Sequence, residues 1–421
     1  MKLKMNKKWK YLIIAMTAIL MLSMGVLNTP ANTNDGIQTE SPFMSIGPPY
    51  KAALLLGGDE TDLGFSYLGI QAINVLEDDY GWNTSISRQV QFTDQSGIAR
   101  DYGDAGYDVI FFIGGQFIET SYFDVAFSYN ETLFVQIPGL NPYAPTPDNL
   151  VGLHPAFQTE GFYLAGVLAG LMTETNRLAI VFGEWYEYLS MEFFAFKAGA
   201  DSVNDDICVY ARVAGDWGDA ALGKQITETL IASKNVDIVV QVADVTGRGV
   251  IAAAIEAEIA VIGTVADQSE LAPYNMMTSI GMDTTLLMEL VAQRIENGTA
   301  MSVLGGTSWD IPIGNFLIPN HNWDNYIPQS VKDQVDDAEA GIANGSIVVP
   351  RTWYGDEVPP PADPTDCPTD DEADPITIPP APVTPIPGFP LLPLALGTTT
   401  MLGVMLLLVN RSRRVGNKHK S

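Results

Sequence analysis

The amino-acid sequence predicts an α/β fold in two lobes, carried outside the membrane and ending in a membrane-spanning segment. Three observations lead there. Short apolar runs without alternation recur between residues 51 and 267, as strands buried on both faces of a parallel sheet require. Helix-like stretches separate those runs, so strand and helix follow in turn with right-handed crossovers. About 300 residues (48–355) lie between the terminal segments, large for one hydrophobic core and comfortable for two.

The chain opens with Lys2, Lys4, Lys7, Lys8 and Lys10, an apolar run from Tyr11 to Leu27 and the polar exit "NTPANTNDG". A basic head, an apolar middle and a small polar exit read as a secretory signal over residues 1–30, with an uncleaved anchor as the alternative. A lipoprotein would need a cysteine at that exit, and the sequence has only Cys208 and Cys367. Cys208, in an apolar run, is expected to be an inert core residue, and the two cysteines to form no disulfide framework.

The strand candidates follow in order: "KAALLLGGD", "YDVIFFIGGQ", "LAIVFGEW", "VDIVVQVAD" and "AVIGTVAD". Helices are expected over Leu68–Asp79, Gly161–Thr173, Met191–Val203, Ala220–Ser233, Gly247–Ala257 and Thr284–Asn297. In open α/β sheets a ligand lies at the carboxyl ends of the strands. Those ends carry Asp59, Asp62 and Phe65, then Gln116 and Phe117, then Glu184 and Trp185, then Asp244 and Thr246, and finally Asp267 and Gln268. Gly58, Asp62, Phe65, Ser66, Gln116, Phe117, Asp244, Thr246, Gly247 and Asp267 are the candidate ligand contacts among and beside them. For Asp62 and Asp267 the alternative is a helix or turn cap, in which the carboxylate accepts a backbone N–H.

Residues 356–388 are Pro- and acid-rich and predict an extended stalk. The run from Leu391 to Val409 would measure roughly 29 Å as a helix, enough to cross a bilayer. It sets a transmembrane helix over 389–410. The basic tail 411–421 holds Arg411, Arg413, Arg414, Lys418 and Lys420, which places it on the cytoplasmic side and the lobes outside. Pro387-Gly388-Phe389 resembles archaeal C-terminal sorting tails, which leaves open cleavage and a lipid anchor in place of the helix.

Net charge is −28, and the two basic ends hold ten of the 22 Lys and Arg, so 12 cations stand against 50 acids in between. Such a surface repels phosphate backbones and excludes nucleic acid as a partner. Asn83, Asn130, Asn297 and Asn344 each begin an Asn-x-Ser/Thr sequon, compatible with an exterior location. The sequence has three histidines, none in metal-ligand spacing. It has neither a Gly-x-Ser-x-Gly elbow nor a Gly-Lys-Ser/Thr phosphate loop, so neither a catalytic residue nor a cofactor or metal is assigned.

Six stretches, in order, resemble the basic membrane protein family of extracytoplasmic substrate-binding proteins. They are "LLLGGDETDLGFSYLGIQA", "FQTEGFYLAGVLAGLMT", "FKAGADSVN", "AGDWGDAALGKQI", "QVADVTGRGVIAAA" and "VIGTVADQSELAPYNMMTSI", and the resemblance covers roughly Ala52 to Asn344. It implies the type I periplasmic binding fold: two Rossmann-like lobes joined by a hinge. It also implies a small-molecule ligand, typically a purine nucleoside, and ABC permease and ATPase subunits as partners. By the same resemblance Trp217 and Phe65 wall the ligand's flat face and Asp267 meets its hydroxyl edge. The sequence departs from the family at Ser66 (Asn), Val265 (Asp) and Met282 (Lys), and adds Arg248 at the start of a helix. Those departures open the site to another small polar compound with a flat or apolar face. A ligand sensor signalling through a membrane partner, or a nucleoside hydrolase, are the competing functions.

Overall fold

The computed structural model describes residues 48–58, 60–61, 63–139, 146–311, 317–350, 360–365 and 367. The expected signal (1–30), transmembrane helix (389–410) and basic tail (411–421) lie outside them. Among the described residues no helix is long and apolar enough to cross a membrane.

Two six-stranded sheets organise the body. Lobe 1 holds β1 (Lys51–Leu56), β2 (Asn83–Ser87), β3 (Val109–Ile113), β4 (Leu133–Ile137), β5 (Leu150–Pro155) and β11 (Thr307–Ile311), in the order β11-β5-β4-β3-β1-β2. Lobe 2 holds β6 (Arg177–Phe182), β7 (Cys208–Val213), β8 (Ile238–Val242), β9 (Ala260–Val265), β10 (Met276–Gly281) and β12 (Leu317–Pro319), in the order β12-β10-β9-β8-β6-β7. All neighbours are parallel except β10 and β12.

The apolar runs are continuous because both faces of each sheet are covered. On β1, Ala52, Leu54 and Leu56 enter the core under α1 (Phe65–Asp78) and α7 (Thr284–Glu296). Ala53 and Leu55 enter the opposite core, against α2 (Gln95–Asp104) and the helical turns of 115–128. On β8, Ile238, Val240 and Val242 face α3 (Ala156–Met172), α4 (Glu187–Asp201) and α8 (Gln329–Ala343). Val239 faces α5 (Ala220–Lys234) and α6 (Asp244–Glu256). A period of two thus sends alternate residues into two different cores, so the strands are mostly apolar on both faces, with buried polar residues such as Gln136 and Gln241 towards their carboxyl ends.

The chain passes between the lobes three times: from β5 to α3, from β10 to α7, and from β11 to β12. Both lobes are therefore built from separated pieces of sequence. All four sequon asparagines are exposed.

Two expectations are corrected here. Cys208 and Cys367 form a disulfide, so Cys208 is a cross-link and not an inert core residue. The two meet because β7 is the edge strand of lobe 2 and Asp363 and Cys367 lie against that edge. The segment expected to start an extended stalk is therefore docked: Asp363 pairs with Arg212 at 2.6 Å and Lys234 at 3.0 Å, and Cys367 packs on the core of lobe 2.

Candidate functional site

Carboxyl ends of strands from both lobes meet at one cleft. Lobe 1 contributes Gly57 and Gly58 after β1, Phe65 and Ser66 at the start of α1, and Ile113 to Gln116 at the end of β3. Lobe 2 contributes Tyr188 from α4, Trp217 from the turn after β7, and Asp244 at the start of α6. The space between these residues is about 90 Å³, below the roughly 300–1,000 Å³ of pockets that hold drug-sized ligands.

Local geometry explains how these residues arrive there. Gly114 has φ +120°, a conformation closed to L side chains, and this turn folds the Gln116 amide back against Gly57 and Gly114. A Cβ at Gly183 would lie 2.3 Å from the Trp217 ring, so glycine lets the indole lie flat on the end of β6. Asp244 takes a left-handed φ of 44° and Val265 a φ of 74°. Such backbone at non-glycine residues stores strain, which collects at functional sites.

The aromatic wall of lobe 2 has three parallel rings. Tyr188 and Tyr186 lie 5.8 Å apart between centroids and Tyr186 and Trp217 6.5 Å apart, each pair with 6° between planes. Glu184 ties the wall together: it accepts the Trp217 indole N–H at 2.9 Å and the Tyr186 hydroxyl. Burial, then hydrogen bonding to Glu184, pushes the Tyr186 phenol far above its ordinary range. Burial, followed by the neighbouring acids Glu192 and Asp244, does the same for Tyr188. Both phenols therefore stay protonated donors. Across the cleft, Gly115 leaves room for the Tyr188 ring; a Cβ there would sit 3.2 Å from it.

Of the residues singled out in the sequence, Gly58, Phe65, Ser66, Gln116, Trp217 and Asp244 line the cleft together. Phe117 does not: it is fully buried in lobe 1, with its ring centroid 5.8 Å from that of Phe112. Thr246 is also buried, and acts one layer back. It donates to the Asp216 carbonyl and accepts the Asp219 N–H, both at 2.8 Å, and so fixes the turn that carries Trp217. Gly247 is packed against the Gln241 amide. Asp267 is exposed outside the lining, with its carboxylate accepting the Ser269 N–H at 2.9 Å, the turn-capping geometry. Asp62 lies outside the described residues.

Tyr186 and Tyr188 went unassigned, although "GEWYEYLS" places them just past a strand end, beside the Glu184 and Trp185 that the sequence did mark. Arg248, which the sequence marked as an added charge, donates from its guanidinium to the Thr61 carbonyl and so joins lobe 2 to lobe 1. Among the described residues no group of three or more His, Cys, Asp or Glu could hold a metal ion.

Two mostly parallel sheets with a cleft lined from both lobes are the architecture of periplasmic solute-binding proteins. The chain belongs to the family of PnrA-like ABC transporter substrate-binding proteins, whose family model matches residues 50–352. It is similar to basic membrane protein A of Borreliella afzelii, 25% identical over 305 residues, covering 71% of this chain and 91% of that one. It is also similar to a candidate ABC transporter glucose-binding protein, TsgA13, of Haloferax volcanii, 26% identical over 327 residues, covering 77% and 79%. In fold it matches an ABC transporter solute-binding protein from Aeropyrum pernix at a TM-score of 0.61 and 18% identity, covering 72% of this chain and 94% of the other. Proteins of this family bind small molecules and work with permease and ATPase subunits.

Proposed function

We propose that the protein captures a small organic solute outside the cell and presents it to an ABC importer, held to the membrane by residues 389–410. The observation that supports this most directly is the cleft itself, whose walls come from both lobes. Gly58, Phe65, Ser66, Gln116, Trp217 and Asp244 are the proposed contacts. Phe65, Tyr188 and Trp217 offer flat or apolar faces to the solute, and Ser66, Gln116 and Asp244 offer hydrogen bonds. A nucleoside is one compound of that description. Closure about the three crossings would bury the solute, and the Arg248–Thr61 contact is placed to favour the closed form.

The test is thermal unfolding of the full-length chain with guanosine, glucose, choline and their relatives. A solute at about 100 times its dissociation constant adds roughly 2.7 kcal/mol. The stabilisation should vanish in Trp217→Ala. A solute that stabilised the variant and the native chain equally would bind elsewhere and sink the assignment to this cleft.

A further inference from the structure

We infer that the pole of lobe 1 opposite the cleft carries N-linked sugars, on Asn83, Asn130 and Asn297. This rests on the exterior location proposed above and adds a modification site that the solute-binding reading does not contain.

Three sequons far apart in sequence come together at that pole. The parallel strands of lobe 1 point their carboxyl ends at the cleft, so their amino ends form the far side. Asn83 is the first residue of β2, and Asn130 stands just before β4. Asn297 directly follows α7, whose last turn packs on the same side: Glu296 accepts the Trp82 indole N–H at 3.1 Å. Trp82 and Glu296 precede Asn83 and Asn297 in the chain, so that bond brings two sequons together. Tyr107 joins the third. Its hydroxyl lies 2.6 Å from the Ser85 hydroxyl, and its carbonyl accepts the Thr132 hydroxyl at 2.9 Å. Ser85 and Thr132 are the third residues of the Asn83 and Asn130 sequons.

Exposure and position both suit a sugar. Asn83, Asn130 and Asn297 are exposed. Asn149, Asn275 and Asn320 are buried, donate their amides to backbone carbonyls and begin no sequon. A bulky substituent on one of those amides would break the fold, whereas the three at the pole have water beside them. None of the three sequons lines the cleft. A bulky, hydrated group at this pole therefore leaves the carboxyl ends of the strands open to solute and permease.

The chemistry sets the order of events. The asparagine Nδ2 forms a bond to the anomeric carbon of a sugar carried on a polyprenyl phosphate. The bond from that carbon to the phosphate oxygen breaks, and the amide gives up one proton as the lipid phosphate leaves. The acceptor motif requires the hydroxyl two residues on. In the folded chain all three hydroxyls are engaged: Ser85 and Thr132 with Tyr107, and Thr299 with the side-chain oxygen of Asn297. Thr132 is buried as well. Attachment thus precedes the folding of lobe 1, and the exposed asparagines let the chain fold with the sugar in place.

Peptide mass spectrometry of the full-length chain, purified from the membranes of its own cells, tests this. Peptides holding Asn83, Asn130 and Asn297 should each be heavier by a whole number of sugar residues. Asn83→Gln, Asn130→Gln and Asn297→Gln should each remove one such addition. Thr299→Ala, which keeps Asn297, should leave that asparagine bare. Bare asparagines at all three positions overturn the inference, and so do sugars confined to Asn344 after α8, which packs on lobe 2. Protease added to intact cells separates this failure from that of the reading beneath it. A body that protease removes and that carries no sugar sinks the inference alone, and one that protease cannot reach sinks the exterior location too. The main measurement uses the native chain, so a misfolded variant cannot blur it.

Discussion

Glu192 lies on α4 one turn after Tyr188, 2% exposed, with carboxylate oxygen Oε2 lacking a hydrogen-bond partner. Burial pushes its pKa well above the ordinary 4.5, so the folded chain keeps a proton that the unfolded chain releases. The folded state then binds more protons across that window, and stability falls as pH rises from about 4.5 towards the folded value. One such proton gives a slope of up to about 1.4 kcal/mol per pH unit. Asp237 is shifted the same way, chiefly by burial, so the wild-type slope has more than one source. Glu192→Gln should flatten the slope, and urea unfolding at pH 5, 6 and 7 checks it. Equal slopes in the two proteins would mean Glu192 ionises freely. At this scale the sequence was legible where a residue stood within a few positions of a strand end, as with Gly58, Gln116 and Asp244. It was not legible where one residue's rotation decides between cleft and core. Gln116 points to the cleft and Phe117, its neighbour, to the interior. Asp267 was legible only as a choice between ligand contact and cap, and the Ser269 N–H shows the capping bond formed.

Helix packing shows why some glycines are fixed and others free. In α3 and α4 the backbones touch: a Cβ at Gly199 would lie 1.9 Å from the Tyr163 carbonyl, and one at Gly166 2.0 Å from the Phe196 carbonyl. No flexible side chain can yield there, so Gly199→Ala must push the helices apart, a strain of about 1–3 kcal/mol. Gly97 in α2 has nothing within 4 Å of its Cβ position. There alanine should raise stability by about 0.5–1 kcal/mol through helix propensity and a less flexible unfolded chain. Denaturant midpoints of the two variants should therefore move in opposite directions, and a shared sign would contradict the packing. The central strands β1, β3, β6, β8 and β9 were legible because burial on both faces favours a mostly apolar sequence, as in β8, which Gln241 interrupts only once. The edge strand β2 ("NTSIS") is half-exposed and polar, and β12 spans three residues, so neither leaves that mark. Helix α8 was missed for a related reason: its exposed side, "KDQVDDAE", dilutes the apolar stripe that packs on α3.

The lobes are assembled from pieces far apart in sequence, and the last piece lies beyond residue 355. Arg212, Lys234 and Tyr210 of lobe 2 receive residues 360–367 through ion pairs to Asp363, and Tyr210 meets Cys367 at 3.3 Å. Those ion pairs are about a third exposed, so each contributes on the order of 0–1 kcal/mol. The Cys208–Cys367 disulfide, closing 159 residues of separation, is the larger effect. Native disulfides typically contribute about 2–5 kcal/mol, mostly by restricting the unfolded chain. Composition hid this, since a run of Pro and acids gives no sign of docking. The expected secretory context was the available clue, because two cysteines in an oxidising compartment tend to pair. A chain ending at residue 355 should thus be less stable than one ending at 375 by about 2–5 kcal/mol and unfold at a lower denaturant concentration. Reductant should erase most of the difference, and Cys367→Ser in the longer chain should reproduce the loss. Solute affinity should change little, because no residue lining the cleft belongs to the docked segment. Identical midpoints for the two lengths under oxidising conditions would show that the segment rests on lobe 2 without stabilising it. A large loss of affinity with unchanged stability would instead mean that the tether sets the closure of the lobes.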